Sequence, residues 1–293
     1  MKSNMKTLRE YLADADKRRV AIGHFNISDI AALKAIADVA GELKLPVIIG
    51  TSEGEREFLD IHDCVALVKD LRENHGQPVF LNADHTHSLE KVKLAVGSGY
   101  DAILFDGGTL PIDENIQKTK EVVEYVKSKN KNIIVEGELG NIGSGSTVRK
   151  ELPKGAAIKP EDLTKPEDAL RFVKATGVDM LAPAVGNIHG MFANAPDPAL
   201  DIARIAGIKK AVKLPLVLHG GSGNTDADFA AAIQAGITIV HISTELRAAW
   251  RKGMESGLQK NPDEVAPYKL MAESIEEMKK VLRQRLRLFN NLR

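Results

Sequence analysis

Short apolar runs alternate with amphipathic stretches along nearly the whole chain. Val20–Phe25, Pro46–Thr51, Val79–His85, Ala102–Asp106, Ile133–Leu139, Met180–Val185, Leu216–His219 and Ile237–Ile242 are largely apolar and bounded by polar or glycine-containing segments, which predicts eight strands. Between them apolar residues recur at helical spacing. Ser28 opens one such stretch, with Ile30, Leu33, Ile36, Ala37 and Ala40 on one face before Gly41 ends it. The same pattern predicts helices over Glu55–Glu73, Leu89–Val96, Pro111–Lys129, Pro166–Ala175, Ala199–Val212 and Thr225–Ala235, and another from Glu245 onward behind a Thr244 cap. Eight β/α units in about 250 residues have the number and size of a TIM (β/α)8 barrel, an α/β fold. Near-continuous apolar strands fit a parallel sheet covered on both faces. An open doubly wound sheet would place a glycine-rich phosphate turn after its first strand, and Gly23-His24-Phe25-Asn26 supplies none. Asp263–Arg293 carries Tyr268, Met271, Ile275, Met278, Leu282 and Leu286 at helical spacing. The expected organisation is a single barrel domain over residues 1–293, with 263–293 as a C-terminal extension of one or two helices.

Composition narrows the class. The 293 residues are 43% hydrophobic and 27% charged, enough for a large core and unlike a disordered chain. Forty basic residues balance 40 acidic ones, so no strong field favours nucleic acid or an anionic membrane, and any anion site must be local. Met1–Val20 is mixed in charge, without the apolar core of a signal peptide, and no run is long enough to span a bilayer. A cytoplasmic protein is expected, with no nucleic-acid or membrane partner. The single cysteine, Cys64, excludes an internal disulfide and sits on a helical apolar face, where a small buried hydrophobe is expected.

The chemistry gathers where the strands end. Of eight histidines, six (His24, His85, His87, His189, His219 and His241) fall at or just after predicted strand ends. Barrel active sites occupy that rim. His85, His189 and His219 each lead into a polar or glycine-containing loop, and three imidazoles with an open position make a catalytic zinc arrangement. Asp84 precedes His85. Neighbouring side chains on a strand face opposite ways, so Asp84 is expected to reach the site because the strand is ending there, as a general acid/base or as a partner to a histidine. Asp106 and Glu138 end strands four and five and are expected at an auxiliary metal position or behind a ligand. His219-Gly220-Gly221-Ser222-Gly223 and Ile242-Ser243-Thr244-Glu245 follow strands seven and eight, where barrels commonly hold phosphate on bare backbone N–H groups. Gly140–Leu163 is long and rich in Gly and Ser, a candidate lid. None of the predicted strands contains Lys, which favours metal-assisted chemistry over a Schiff base.

These residues carry a resemblance. Asn82-Ala83-Asp84-His85, Val135-Glu136-Gly137-Glu138-Leu139-Gly140, Gly186-Asn187-Ile188-His189-Gly190, Leu218-His219-Gly220-Gly221-Ser222 and Ser243-Thr244-Glu245-Leu246 resemble the ordered motifs of the class II, zinc-dependent fructose-bisphosphate and tagatose-bisphosphate aldolases. The resemblance runs from about Asn26 to the helix after Thr244. It implies Zn2+ on His85, His189 and His219, Asp84 as acid/base at the substrate C4 hydroxyl, and Glu138 and Asp106 as auxiliary metal positions, with room for a second divalent or a monovalent cation. It also implies that Gly190, Gly220, Gly221, Ser222, Ser243 and Thr244 hold the phosphate of dihydroxyacetone phosphate, with Asn26 and Ser52 nearby. The implied activity is reversible cleavage of a ketose 1,6-bisphosphate, first of all fructose 1,6-bisphosphate, to dihydroxyacetone phosphate and glyceraldehyde 3-phosphate. Tagatose bisphosphate or another ketose phosphate is the alternative substrate, and a homo-oligomer, dimer or tetramer, is expected.

Two places depart from the family pattern. Where members carry an Asn in Asn-x-x-Thr that helps hold the enediolate, this chain has His241-Ile242-Ser243-Thr244, so His241 joins the substrate-facing set as a base or an extra ligand. The loop after strand five reads Gly140-Asn141-Ile142-Gly143-Ser144-Gly145-Ser146 and lacks the family's acidic residue, with Glu151 the nearest carboxylate. Outside the family, His85-Thr86-His87 could serve a metal-dependent hydrolase, and a non-catalytic barrel could bind a sugar phosphate.

Overall fold

A computed structural model of the chain describes residues 5–143, 145–150, 159–193 and 197–292. Its strands are β1 (Ile22–Asn26), β2 (Val47–Thr51), β3 (Val79–Thr86), β4 (Ala102–Phe105), β5 (Ile134–Leu139), β6 (Val148–Arg149), β7 (Met180–Pro183), β8 (Met191–Phe192), β9 (Leu216–Leu218) and β10 (Ile237–Ile242). Its helices are α1 (Leu8–Arg18), α2 (Ile30–Leu43), α3 (Glu53–Leu59), α4 (Ile61–Glu73), α5 (Leu89–Ser98), α6 (Ile112–Lys129), α7 (Pro166–Thr176), α8 (Ile202–Val212), α9 (Asp226–Ala235), α10 (Thr244–Lys260) and α11 (Pro267–Phe289). Eight parallel strands close in the order β1-β10-β9-β7-β5-β4-β3-β2, the expected (β/α)8 barrel. The short strands β6 and β8 pair with each other above it. Among the described residues, no helix is long and apolar enough to cross a membrane.

Strand alternation sorts the barrel into two cores. Val79, Leu81 and Ala83 belong to the larger core, which the barrel shares with its surrounding helices. Ile22, Ile48, Phe80, Ala102, Ile134, Met180, Val217 and Ile239 fill the barrel interior near the strand starts. Helix α1 closes that end with Leu8, Leu12 and Ala15, its N-terminus fixed by reciprocal bonds between Thr7 and Glu10.

Two local expectations change. The stretch expected as one helix over Glu55–Glu73 is two, because Asp60 takes a φ of 68° and its carboxylate then caps α4 at the His62 N–H. Thr244 is the first residue of α10 rather than its cap, and Ser243 makes no capping bond. The hydroxyl of Ser222, from the loop after β9, instead accepts the Glu245 N–H at 3.2 Å, so two loops that adjoin the site are tied together. The C-terminal tail is one helix. Met278, Leu282, Leu286 and Phe289 of α11 pack on the molecule's own core, and Gly253 of α10 permits close approach, since a Cβ there would lie 2.3 Å from Ser274 Cα.

Candidate active site

Inward-facing positions recur every second residue, and near the strand ends they turn polar. Ile22 leads to His24, Phe80 to Asn82 and Asp84, Ile134 to Glu136 and Glu138, Val217 to His219, and Ile239 to His241. This corrects the expectation about Asp84, which lies in the regular inward register. His85 is the residue that breaks alternation. Its φ of 41° is left-handed, and the β3–β4 register shifts between Ala83 and Thr86, so consecutive side chains both enter the site.

Three imidazoles converge. The rings of His85 and His189 lie 4.7 Å apart, His85 and His219 5.0 Å, and His189 and His219 5.8 Å, and one nitrogen of each lies within 4.8 Å of the others. The second nitrogen of every ring is already engaged. His85 Nδ1 is 2.8 Å from Asp106 Oδ2, His189 Nδ1 is 2.9 Å from the Gly143 carbonyl, and His219 Nε2 is 2.8 Å from Glu136 Oε1. Outer partners of this kind fix ring orientation in metal sites. They leave His85 Nε2, His189 Nε2 and His219 Nδ1 facing one another, and His219 Nδ1 is buried without a partner. The set fits a divalent cation.

Electrostatics agree with that fit. Burial opposes charge on His85, yet Asp84, Asp106 and Glu138 outweigh it and raise its pKa to about 10. These carboxylates favour positive charge at this spot. Burial, then the charge on His85, lowers His189 and His219 to about 3, which leaves both neutral and able to coordinate. Asp84 is 3% exposed; burial works to raise its pKa, but His85, His24, His219 and the Asn26 amide hold it below the ordinary carboxylate range. Burial drives Glu136 and Glu138 well above that range, with the neighbouring carboxylates Asp84 and Asp106 adding. His85, Asp106 and Glu138 form a second group within ligand distance.

The loops opposite are built for close backbone approach. Gly220, at φ +59°, would bring a Cβ within 2.2 Å of the Ile188 carbonyl oxygen, and Gly190, at +95°, within 2.6 Å of that of Thr147. Together with Ser222, Ser243 and Thr244 they line a cleft of about 240 Å³ that also contains Asn26, Ser52, Asp84, Asp106, His241 and the three convergent histidines. Ser243 Oγ is buried without a partner. Two anticipated residues do not line the cleft. Gly221 donates its N–H to the His241 carbonyl at 3.2 Å, joining the loops after β9 and β10, and Glu138 lies behind His85. His87 sits at the cleft's edge with its side chain 58% exposed, and among the described residues it enters no ligand group with His85. Of the anticipated lid, Ser144 and residues 151–158, Glu151 included, lie outside the described residues; Gly143, Gly145 and Ser146 line the cleft, and Arg149 Nε donates to the His189 carbonyl at 2.9 Å.

A family model for "Fructose-bisphosphate aldolase class-II" matches residues 6–292. The chain belongs to the class II fructose-bisphosphate aldolase family. It is 31% identical to the YdjI aldolase from Escherichia coli K12, covering 96% of each chain at a TM-score of 0.80. A putative fructose-1,6-bisphosphate aldolase from Coccidioides immitis is 25% identical over 99% of this chain and 97% of that one, at a TM-score of 0.82. The fructose-bisphosphate aldolase from Campylobacter jejuni, 19% identical over 97% and 94% at a TM-score of 0.77, shares the fold. This chain is therefore an enzyme of the aldolase, or aldehyde-lyase, class.

Around the site of this class II aldolase stand residues that the sequence did not single out. Glu136 orients His219, and continuing the inward alternation back from Glu138 would have reached it. Glu55 is a second: its Oε2 accepts from Asn26 Nδ2 at 2.9 Å, while that amide also lies 2.9 Å from Asp84 Oδ2, and Glu55 further accepts the Ser52 N–H and pairs with Arg247. Arg56 is buried, and its guanidinium is spent on oxygens of β2 and β3. It donates to the Thr51 carbonyl, to the Asp84 carbonyl at 3.2 Å and to the Thr86 hydroxyl at 3.1 Å, bracketing the left-handed turn at His85. Its sequence context reads as a solvated helix face, so no local signal announced it.

Proposed function

We propose that this aldolase reversibly cleaves a ketose 1,6-bisphosphate, fructose 1,6-bisphosphate first of all, to dihydroxyacetone phosphate and glyceraldehyde 3-phosphate. The observation that carries the reading is the meeting of three oriented imidazoles, a buried ionised Asp84 and a glycine- and hydroxyl-lined cleft. His85, His189 and His219 hold the metal, and zinc suits an all-nitrogen donor set with an open position. The ion supplies Lewis-acid polarisation of the ketose carbonyl. Asp106 and Glu138, with His85, make an auxiliary cation position.

Asp84 performs the proton step. Its Oδ2 is taken by the Asn26 amide, and its Oδ1 is buried without a partner, so Oδ1 accepts the C4 hydroxyl proton as the C3–C4 bond breaks; the bond's electron pair stays with the dihydroxyacetone phosphate half, which takes up one proton at C3 before release, and addition reverses each transfer. Gly190, Gly220, Ser222, Ser243 and Thr244 hold the phosphate on backbone N–H groups and hydroxyls, and Gly221 shapes their loop. Asn26 and Ser52, both bound to Glu55, line the same cleft near them. We read the enzyme as cytoplasmic, and residues 1–293 as one barrel domain with 263–293 as its helical extension, assembling as a dimer or tetramer.

Tagatose 1,6-bisphosphate, which differs in configuration at C4, fits the same donor set. A coupled cleavage assay on both ketoses, before and after chelation, tests the reading. The expected result is zinc-dependent release of dihydroxyacetone phosphate from at least one of them; bound zinc without cleavage of either would overturn it.

A further inference from the structure

The site contains a pair of histidines that the three-ligand arrangement does not use. His24 and His241 are register partners on β1 and β10, and their rings stack face to face, with centroids 3.4 Å apart and planes within 5°. Strands β2 and β3 seat the inner ring. His24 is fully buried, its Nε2 lies 3.1 Å from Asn82 Nδ2, and it occupies space above Gly50, where a Cβ would lie 2.1 Å from His24 Cε1. His241 is the outer ring and lines the cleft. Its centroid is 3.8 Å from that of His219, its Nδ1 is 3.7 Å from Asp84 Oδ1, and its Nε2 is buried without a partner.

Ligand atoms of His24, Asp84 and His241 lie within 4.8 Å of one another, which invites a second metal. The stack argues against it. An imidazole lone pair lies in the ring plane, and an ion shared by two parallel rings would sit about half their separation out of both planes, far from the direct approach a zinc–nitrogen bond of about 2.0–2.1 Å requires. What the stack does fix is the plane of the outer ring. A buried nitrogen without a partner costs free energy unless a ligand satisfies it.

We propose that His241 is a catalytic residue whose Nε2 hydrogen-bonds a hydroxyl or carbonyl oxygen of the substrate between the metal and Asp84, and that His24 is the positioning residue that holds its ring. The inference rests on the aldolase reading for the identity of that substrate. The ligand class is a polyhydroxylated carbon chain bearing oxygen on the carbons beside the broken bond. A donor fixed at such a place before the reaction selects for that oxygen and stabilises charge that develops on it.

The test uses zinc-loaded enzyme carrying His241→Phe, which keeps a flat ring and removes the nitrogens, His24→Leu, which removes the stack, or both. Three quantities are read: kcat/KM on the ketose bisphosphate that the wild type cleaves, the Kd of dihydroxyacetone phosphate by calorimetry, and zinc content with thermal unfolding. His241→Phe is expected to lose about 100-fold in kcat/KM and to bind dihydroxyacetone phosphate more weakly, with zinc retained. His24→Leu is expected to lose about tenfold, and the double variant no more than His241→Phe alone, because residues acting as one unit are non-additive. Gly50→Ala, which crowds His24 without touching the cleft, is expected to show a smaller loss of the same kind and serves if His24→Leu does not fold. Wild-type kinetics and binding in His241→Phe would overturn the contact, and losses that multiply in the double variant would overturn the positioning role. A wild type that cleaves no ketose bisphosphate, yet binds dihydroxyacetone phosphate more tightly than His241→Phe does, would defeat the cleavage reading and support the contact.

Discussion

The two ends of the barrel interior are built from the same strands and have opposite chemistry. Near the strand starts Ile22, Phe80, Ile134, Val217 and Ile239 form a closed apolar layer sealed by α1. Two residues further along the same strands stand His24, Asn82, Glu136, His219 and His241, all buried. Buried polar groups cost stability unless they are paired, and here several atoms have no protein partner: His24 Nδ1, Asn82 Oδ1, Asp84 Oδ1, Glu136 Oε2, His219 Nδ1 and His241 Nε2. One layer carries stability and the other is arranged around what it binds. A substitution in the upper layer should therefore change chemistry with little effect on folding, and one in the lower layer the reverse.

The largest effect on turnover is expected from Asp84→Asn, which keeps the shape and removes the proton acceptor. We expect kcat to fall by about 10²–10⁴-fold with zinc content unchanged; a variant as active as the wild type would remove Asp84 from the proton step. Glu136→Gln should be milder. It loosens the orientation of His219, and a loss of about 10–100-fold in zinc affinity or activity, read by competition with a chelator, would place Glu136 in the functional layer. Unchanged zinc affinity would make its buried carboxyl a structural feature only.

Ile239→Ala probes the other layer. Truncating this fully buried side chain should destabilise the fold by about 2–5 kcal/mol in denaturant unfolding, while cleavage per folded molecule stays within about twofold, as distance from the reacting groups would have it. A loss of activity without a loss of stability would dissolve the division. The smallest effect should come from Asp197, beside Gly223 at the upper rim. Burial, with Glu245 adding, raises its pKa from 3.8 to about 6. The folded state then binds this proton more tightly than the unfolded state, so the group's contribution to stability falls as pH rises from about 4 through about 6. Asp197→Asn should flatten the stability profile over that window, and an unaltered profile would mean that the carboxyl is not strained.

Most of this division was legible because strand alternation has a period of two and barrel sites gather at strand ends. The three convergent histidines, Asp84 and the glycine loops follow from those two regularities. Other features depend on contacts distant in sequence. Nothing in the residue type of His85 reveals a left-handed backbone, so alternation marked Asp84 as the exceptional neighbour when it is His85. Ser222 holds the start of α10 from another loop, which hid the true boundary at Thr244. The seat of His24 over Gly50 requires the β1–β2 register, and Arg56 reaches β3 only once α3 has folded against it.

The central claim is that His85, His189 and His219 form one metal site and that aldol cleavage depends on it. Elemental analysis of the purified wild type and of His219→Ala, each paired with the ketose bisphosphate cleavage assay, tests it most directly. We expect about one tightly bound zinc per wild-type chain, beyond any auxiliary ion, and its loss from His219→Ala together with cleavage. A His219→Ala protein that retains both the zinc and the activity would contradict the account.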